Sequence, residues 1–105
     1  EKYSWTNHVV EKMNYYGISQ NRVKRIIRFP KRSEEGIVPQ TIAVMQPAGT
    51  KRYQEIWVMY KLDKIKEGKQ QKKLKVITAW RYPGKSSERD PIPKEIIAEV
   101  RQLVF

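Results

Sequence analysis

The spacing of apolar residues changes at Pro30, and that change limits what this chain can fold into. Before it, Val9, Val10, Met13 and Tyr16 recur at helical intervals, and Val23, Ile26 and Ile27 repeat the pattern. Such a stripe gathers on one side of the chain only if the backbone is helical. Thr6 or Asn7 is placed to cap a first helix that runs to about Tyr16, and Gly17 supplies its break. Ser19 is the next N-cap, and Phe29-Pro30 ends the second helix, because the residue before a proline is pushed out of the helical region. Two short helices joined this tightly are expected to form an αα-hairpin. Ahead of them, Lys2-Tyr3-Ser4-Trp5 reads as a short strand.

Beyond Pro30 the period shortens to two. Thr41 to Met45 reads as a strand, and Pro47-Ala48-Gly49-Thr50 as a turn. From Arg52 to Leu62 the chain alternates, with Tyr53, Glu55, Trp57, Met59 and Lys61 opposite Gln54, Ile56, Val58, Tyr60 and Leu62. Both sets carry apolar groups, so a central strand is expected. Glu67-Gly68-Lys69 marks a second turn within a Lys- and Gln-rich loop. Leu74 to Tyr82 is a further strand, with Leu74, Val76, Thr78 and Trp80 on one face and Ile77, Ala79 and Arg81 on the other. A polar loop from Pro83 to Asp90 leads into a C-terminal helix whose stripe is Ile96, Ile97, Val100, Leu103 and Val104. The expected architecture is a single α+β domain over residues 1–105. It has an N-terminal helical hairpin, an antiparallel sheet of three to four strands and a C-terminal helix, with the hairpin and final helix packed on that sheet.

Composition bounds the function. With 39% hydrophobic residues the chain has material for a core, and no apolar run approaches the ~20 residues of a membrane span, so no membrane insertion is expected. The absence of cysteine excludes disulfides and thiolate metal sites and points to the cytoplasm. A single histidine makes a metal site or other cofactor unexpected. Twenty-two Lys and Arg against eleven acids leave a net charge of +11. Self-repulsion on that scale opposes compaction and usually accompanies a polyanionic partner. Nucleic acid, RNA above all, leads as that partner, an acidic protein follows and an anionic membrane surface comes third; a basic surface that merely solubilises is the plain alternative.

Three constellations carry chemical potential. His8 and Lys12 share a helix face with Tyr15, so an imidazole for proton transfer stands beside an ammonium for a phosphate. A surface histidine near a helix start is the competing reading. Glu55, within the central strand, is a candidate general base, or else a partner of a cross-strand Lys or Arg. Arg81 and Tyr82, followed by Lys85, place a guanidinium, a phenol and an ammonium at the end of a strand. Arg81 suits the charge that builds up during transesterification, and Tyr82 suits stacking on a base. Arg22, Lys24, Arg25 and Arg28 add a broad basic face on the second helix.

Thr6-Asn7-His8, Lys12-Met13, Gly17-Ile18-Ser19, Val23 and Pro30 together resemble a family of small domains found near mobile elements and toxin–antitoxin loci. More distantly, the chain is similar to ribonuclease toxins of the BrnT and RelE type, in which helices precede an antiparallel sheet and one strand carries a functional arginine. Leu74 to Gly84 is the counterpart of that strand, and it aligns Arg81 with the arginine when Trp80 is taken as an insertion. The resemblance implies an RNA-cleaving toxin, or a descendant that binds RNA without cutting it. Joined to the three constellations, it makes the expectation a metal-independent endoribonuclease with His8, Glu55, Arg81 and Tyr82 at the catalytic site. Lys12, Arg22, Arg25, Arg28 and Lys85 would then grip RNA, and an acidic antitoxin would be a second partner. The alternative is a module that binds nucleic acid or an acidic protein without cutting.

Overall fold

The helices begin and end where side chains can satisfy their free backbone groups. In the computed structural model, which describes residues 2–62 and 73–103, a short strand β1 (Tyr3–Trp5) leads into helix α1 (Asn7–Tyr16). Thr6 caps α1 by accepting from the Val9 amide at 3.0 Å. Gly17 ends it in the left-handed conformation, at φ 66°, with its amide turned back to Met13. Ser19 caps helix α2 (Gln20–Arg28) through the Arg22 amide at 3.1 Å, and α2 stops two residues before Pro30.

Among the described residues, five strands form one mixed sheet. After α2 come β2 (Arg32–Glu35), β3 (Ile42–Pro47), β4 (Gln54–Leu62) and β5 (Leu74–Pro83), then helix α3 (Lys94–Arg101). The strand order is β1-β5-β4-β3-β2, with β1 parallel to β5 and every other pair antiparallel. The sheet thus has one strand more than the expected three to four, the edge strand β2, and the expected short strand β1 pairs parallel rather than antiparallel. Strand β2 escapes a pattern reading because Arg-Ser-Glu-Glu has no apolar alternation, and its charges suit an exposed edge. The turn expected at Glu67-Gly68-Lys69 lies outside the described residues.

The faces of β4 follow the alternation, but those of β5 do not. Met59 pairs with Thr78 while Tyr60 pairs with Val76, so Ile77 is one residue too many for its partner strand. Beyond that irregularity, every β5 side chain changes face relative to a simple period of two. Val76 and Ala79 point to the helical hairpin, whereas Ile77 and Trp80 point the other way. Thr6 steadies this step: its hydroxyl donates to the Ile77 carbonyl at 2.9 Å and its amide to the Val76 carbonyl at 3.3 Å.

Both faces of the sheet are covered. On one, Val9 and Met13 of α1 and Val23 and Ile26 of α2 pack on Val44, Ile56, Val58, Val76 and Ala79. On the other, Ile92, Ile96 and Val100 cover Met45, Met59, Ile77 and the stacked pair Trp57 and Trp80, whose rings lie 5.8 Å apart and 2° from parallel. The hairpin and α3 thus occupy opposite faces, because Trp57 and Trp80 give the second face an apolar surface of its own. Of the expected α3 stripe, Ile96 and Val100 are buried, Ile97 and Leu103 are partly buried, and Val104 lies outside the described residues. Among the described residues, no helix is long and apolar enough to cross a membrane.

Thr6 serves both the α1 cap and the β5 irregularity, so Thr6→Ala should destabilise the fold by about 1–2 kcal/mol in urea unfolding. Thr6→Ser, which keeps the oxygen, should recover most of that loss.

Candidate nucleic-acid interface

Residues 81 and 82 point to opposite faces of the strand that carries them. Arg81 pairs in register with Ile56 and lies on the hairpin side, and Tyr82 pairs with Glu55 on the other. Arg81 is held there by α1: its Nε donates to the Tyr16 carbonyl at 2.8 Å, at the helix end where free carbonyls favour a cation.

On α2, Arg22, Arg25 and Arg28 recur three residues apart and so form one row, away from the buried Val23 and Ile26. Arg22 and Arg25 meet Arg81 around a concavity of about 280 Å³, completed by Gly17, Ser19 and Ile56. Arg22 is anchored through Nη2 to the Pro47 carbonyl at 2.9 Å, while its Nε is buried with no hydrogen-bond partner. Arg25 is exposed at the rim, and the lining contains three guanidiniums and no acid. Arg28 extends the row beyond the concavity, and Lys24 lies with Nζ 5.3 Å from the centre of the Tyr3 ring. Lys85, exposed on the loop after β5, does not line this cradle.

A second, larger groove of about 560 Å³ lies between α1, α3 and the end of β5. Lys12, Arg81 and Tyr82 line it together with Glu99. Glu99 joins α3 to α1: its Oε1 is 2.9 Å from Lys12 Nζ and 3.3 Å from His8 Nε2. The hydrogen bond to Glu99 is the main cause that raises the Lys12 pKa above its ordinary value, so this lysine stays charged. His8 Nε2 is buried 3.3 Å from Glu99 Oε1 without forming a hydrogen bond, and His8 does not line the groove. Tyr15 is 80% exposed, and its ring lies 4.8 Å from that of Tyr16 at a right angle. Glu99 was not apparent from the pattern, since its partners are on a helix some ninety residues earlier in the chain. Its only sequence signal is a place next to the buried Val100 on the α3 stripe.

Glu55 occupies a different environment. It is 1% exposed, and its carboxylate accepts from three donors: Tyr53 Oη at 2.9 Å, Trp57 Nε1 at 3.1 Å and the Ser86 amide at 3.2 Å. Burial pushes its pKa up, but hydrogen bonds from Ser86, Trp57 and Tyr53 outweigh that and leave it below 4.5. Arg32 secures the same loop, donating to Ser86 Oγ at 3.2 Å and to the Ser87 and Glu88 carbonyls at 2.9 Å each, with its guanidinium 5.7 Å from the Trp57 ring centre. The expected grouping of His8, Glu55 and Arg81 around one concave site is therefore not what the geometry holds. Alternation sends Glu55 and Arg81 to opposite faces, and the donors around Glu55 make it an anchor for the loop from Pro83 to Asp90. Arg81 meets Lys12 and Tyr82 in the groove, and Arg22 and Arg25 in the cradle.

Among the described residues, no group of three or more His, Cys, Asp or Glu side chains is arranged to hold a metal ion. No family model matches the chain, and neither a curated protein nor a solved structure does.

A carboxylate whose folded pKa is lowered contributes stability above its unfolded value, and that contribution is lost as pH falls through the folded value. Melts taken from neutral pH to below 4.5 should show the wild type weakening in acid. Glu55→Gln should be less stable at neutral pH by about 1–3 kcal/mol, because its amide nitrogen cannot accept from the donors it faces. It should also lose part of the acid dependence.

Proposed function

We propose that this domain binds RNA through the arginine cradle and the basic row of α2. The observation that carries the reading is the convergence of Arg22, Arg25 and Arg81, from elements far apart in the chain, on one concavity with no acidic lining. Like charges are brought together in a fold only against their mutual repulsion, so a site of this kind is stabilised when an anion fills it. Guanidiniums suit phosphate in particular, since their planar donors engage two oxygens at once. The net charge of +11 adds long-range attraction for a polyanion, and Arg28 and Lys85 extend it over the neighbouring surface. RNA as the partner favours a cytoplasmic location, and an acidic antitoxin-like protein would compete for the same arginines.

A second reading is favoured by the groove. Lys12, Arg81 and Tyr82 line it, and Glu99 touches both Lys12 and His8, which suits a metal-independent endoribonuclease of the BrnT and RelE kind. In that reaction the RNA 2′-hydroxyl attacks the adjacent phosphorus and loses its proton to a base, and the bond to the 5′-oxygen breaks as that oxygen takes up a proton. The products are a 2′,3′-cyclic phosphate and a 5′-hydroxyl end. Lys12 and Arg81 would hold the phosphate, and His8 would have to leave Glu99 to transfer the proton. Glu55 would remain a loop anchor rather than a base.

Binding of a labelled RNA oligonucleotide should weaken steeply with salt. Arg25→Ala, at an exposed position, should lower affinity and reduce the slope of log affinity against log salt by about one. Salt-insensitive binding, or none, would remove the reading. Incubation with RNA in EDTA tests cleavage: intact RNA with retained binding supports the non-catalytic form, and cleavage that EDTA abolishes rejects the metal-independent mechanism.

A further inference from the structure

Arg81 lines both concavities, and their chemistry differs. The cradle has three guanidiniums and no acid. The groove sets Lys12, Arg81 and Lys94 against Asp90, Glu95 and Glu99, and so is balanced in formal charge. A phosphate gains most in the cradle and little in the groove. The part of a ligand that enters the groove is therefore uncharged, and in a polynucleotide that part is the base.

The groove walls suit a base. Tyr16 and Tyr82 are half-buried aromatic side chains on them, and stacking on such rings is how unpaired bases are held. The exposed carboxylates of Asp90 and Glu95 can accept from amino groups on a base edge. Trp80, 1% exposed, also contributes to the lining, and its Nε1 is a buried donor with no partner in the protein. At about 560 Å³ the groove is within the roughly 300–1,000 Å³ of small-ligand sites. The bond from Arg81 Nε to the Tyr16 carbonyl holds the side chain that lines both concavities.

Resting on the RNA-binding reading, we propose that the domain selects single-stranded RNA by taking one unstacked base into the groove and an adjoining phosphate onto the arginine cradle. A duplex cannot use both concavities, because its bases are stacked and paired within the helix while its phosphates lie outside. Duplex RNA is left with the cradle and the α2 row alone.

Fluorescence anisotropy at one fixed salt concentration tests this with three probes of one sequence: a single strand, its duplex, and the single strand with abasic nucleotides. The intact strand should bind at least about fivefold more tightly than the other two, which is the lower end of the gain from stacking one base. Tyr82→Leu should weaken binding of the intact strand at least about fivefold more than it weakens binding of the duplex. The abasic probe makes the same comparison on the wild-type protein, whatever the folding of the variant. Equal affinity for all three probes, with Arg25→Ala weakening each, overturns the base pocket and leaves RNA binding standing. If Arg25→Ala changes none of them, the cradle is not the RNA site and both readings fall.

Discussion

Strands β4 and β5 run antiparallel with apolar side chains buried on both faces, and one surplus residue, Ile77, stands where Met59 gives way to Tyr60. A one-residue slip of β5 would exchange the side chains it gives to the two faces. Here each side chain must reach one of two cores, so the step at Ile77 is held by the packing of Val76 and Ala79 beneath the hairpin and of Ile77 and Trp80 beneath α3. Thr6 completes the constraint by giving the Ile77 carbonyl a donor from the start of α1. Past the step, residue 81 points to the hairpin and residue 82 to α3. The position of Arg81 beside α2, and hence of the cradle, depends on this register.

The charged residues divide by whether their partners are already inside the protein. Glu55 and Arg32 are consumed by structure: the carboxylate accepts from three donors and the guanidinium holds the loop after β5. A buried carboxylate surrounded by donors is stable only as the anion, which explains why its pKa falls despite its burial. His8, Lys12 and Glu99 form a smaller set that ties α1 to α3 beside the groove. Around the cradle, by contrast, cations adjoin other cations, and Arg22 Nε is buried without a partner. That contrast, rather than net charge alone, is why the proposed interface is placed on α2 and the end of β5.

Much of this was legible from residue types and spacing. Thr6, Gly17, Ser19 and Pro30 mark the helix limits because caps and breaks are local effects of one side chain on nearby backbone. The two faces of β4 follow from alternation for the same reason, as does the burial of Ile96 and Val100 on α3. Legibility failed where a distant partner decided the outcome. Strand β2 is polar and is a strand only because β3 offers a ladder, β1 has its parallel place because β5 has a free edge, and Glu99 acquires meaning from α1.

By itself, then, the sequence determined the α+β class, the helical hairpin, the central strand, the basic row of α2 and the net charge of +11. These rest on period, capping and charge, which act over a few residues or over the chain as a whole. Only the tertiary structure decided that Glu55 and Arg81 part company, that Arg81 joins Arg22 and Arg25, and that α3 covers the face opposite the hairpin. The physical reason is register: one extra residue in a strand leaves composition and local propensity almost untouched, yet it exchanges the faces of every residue beyond it.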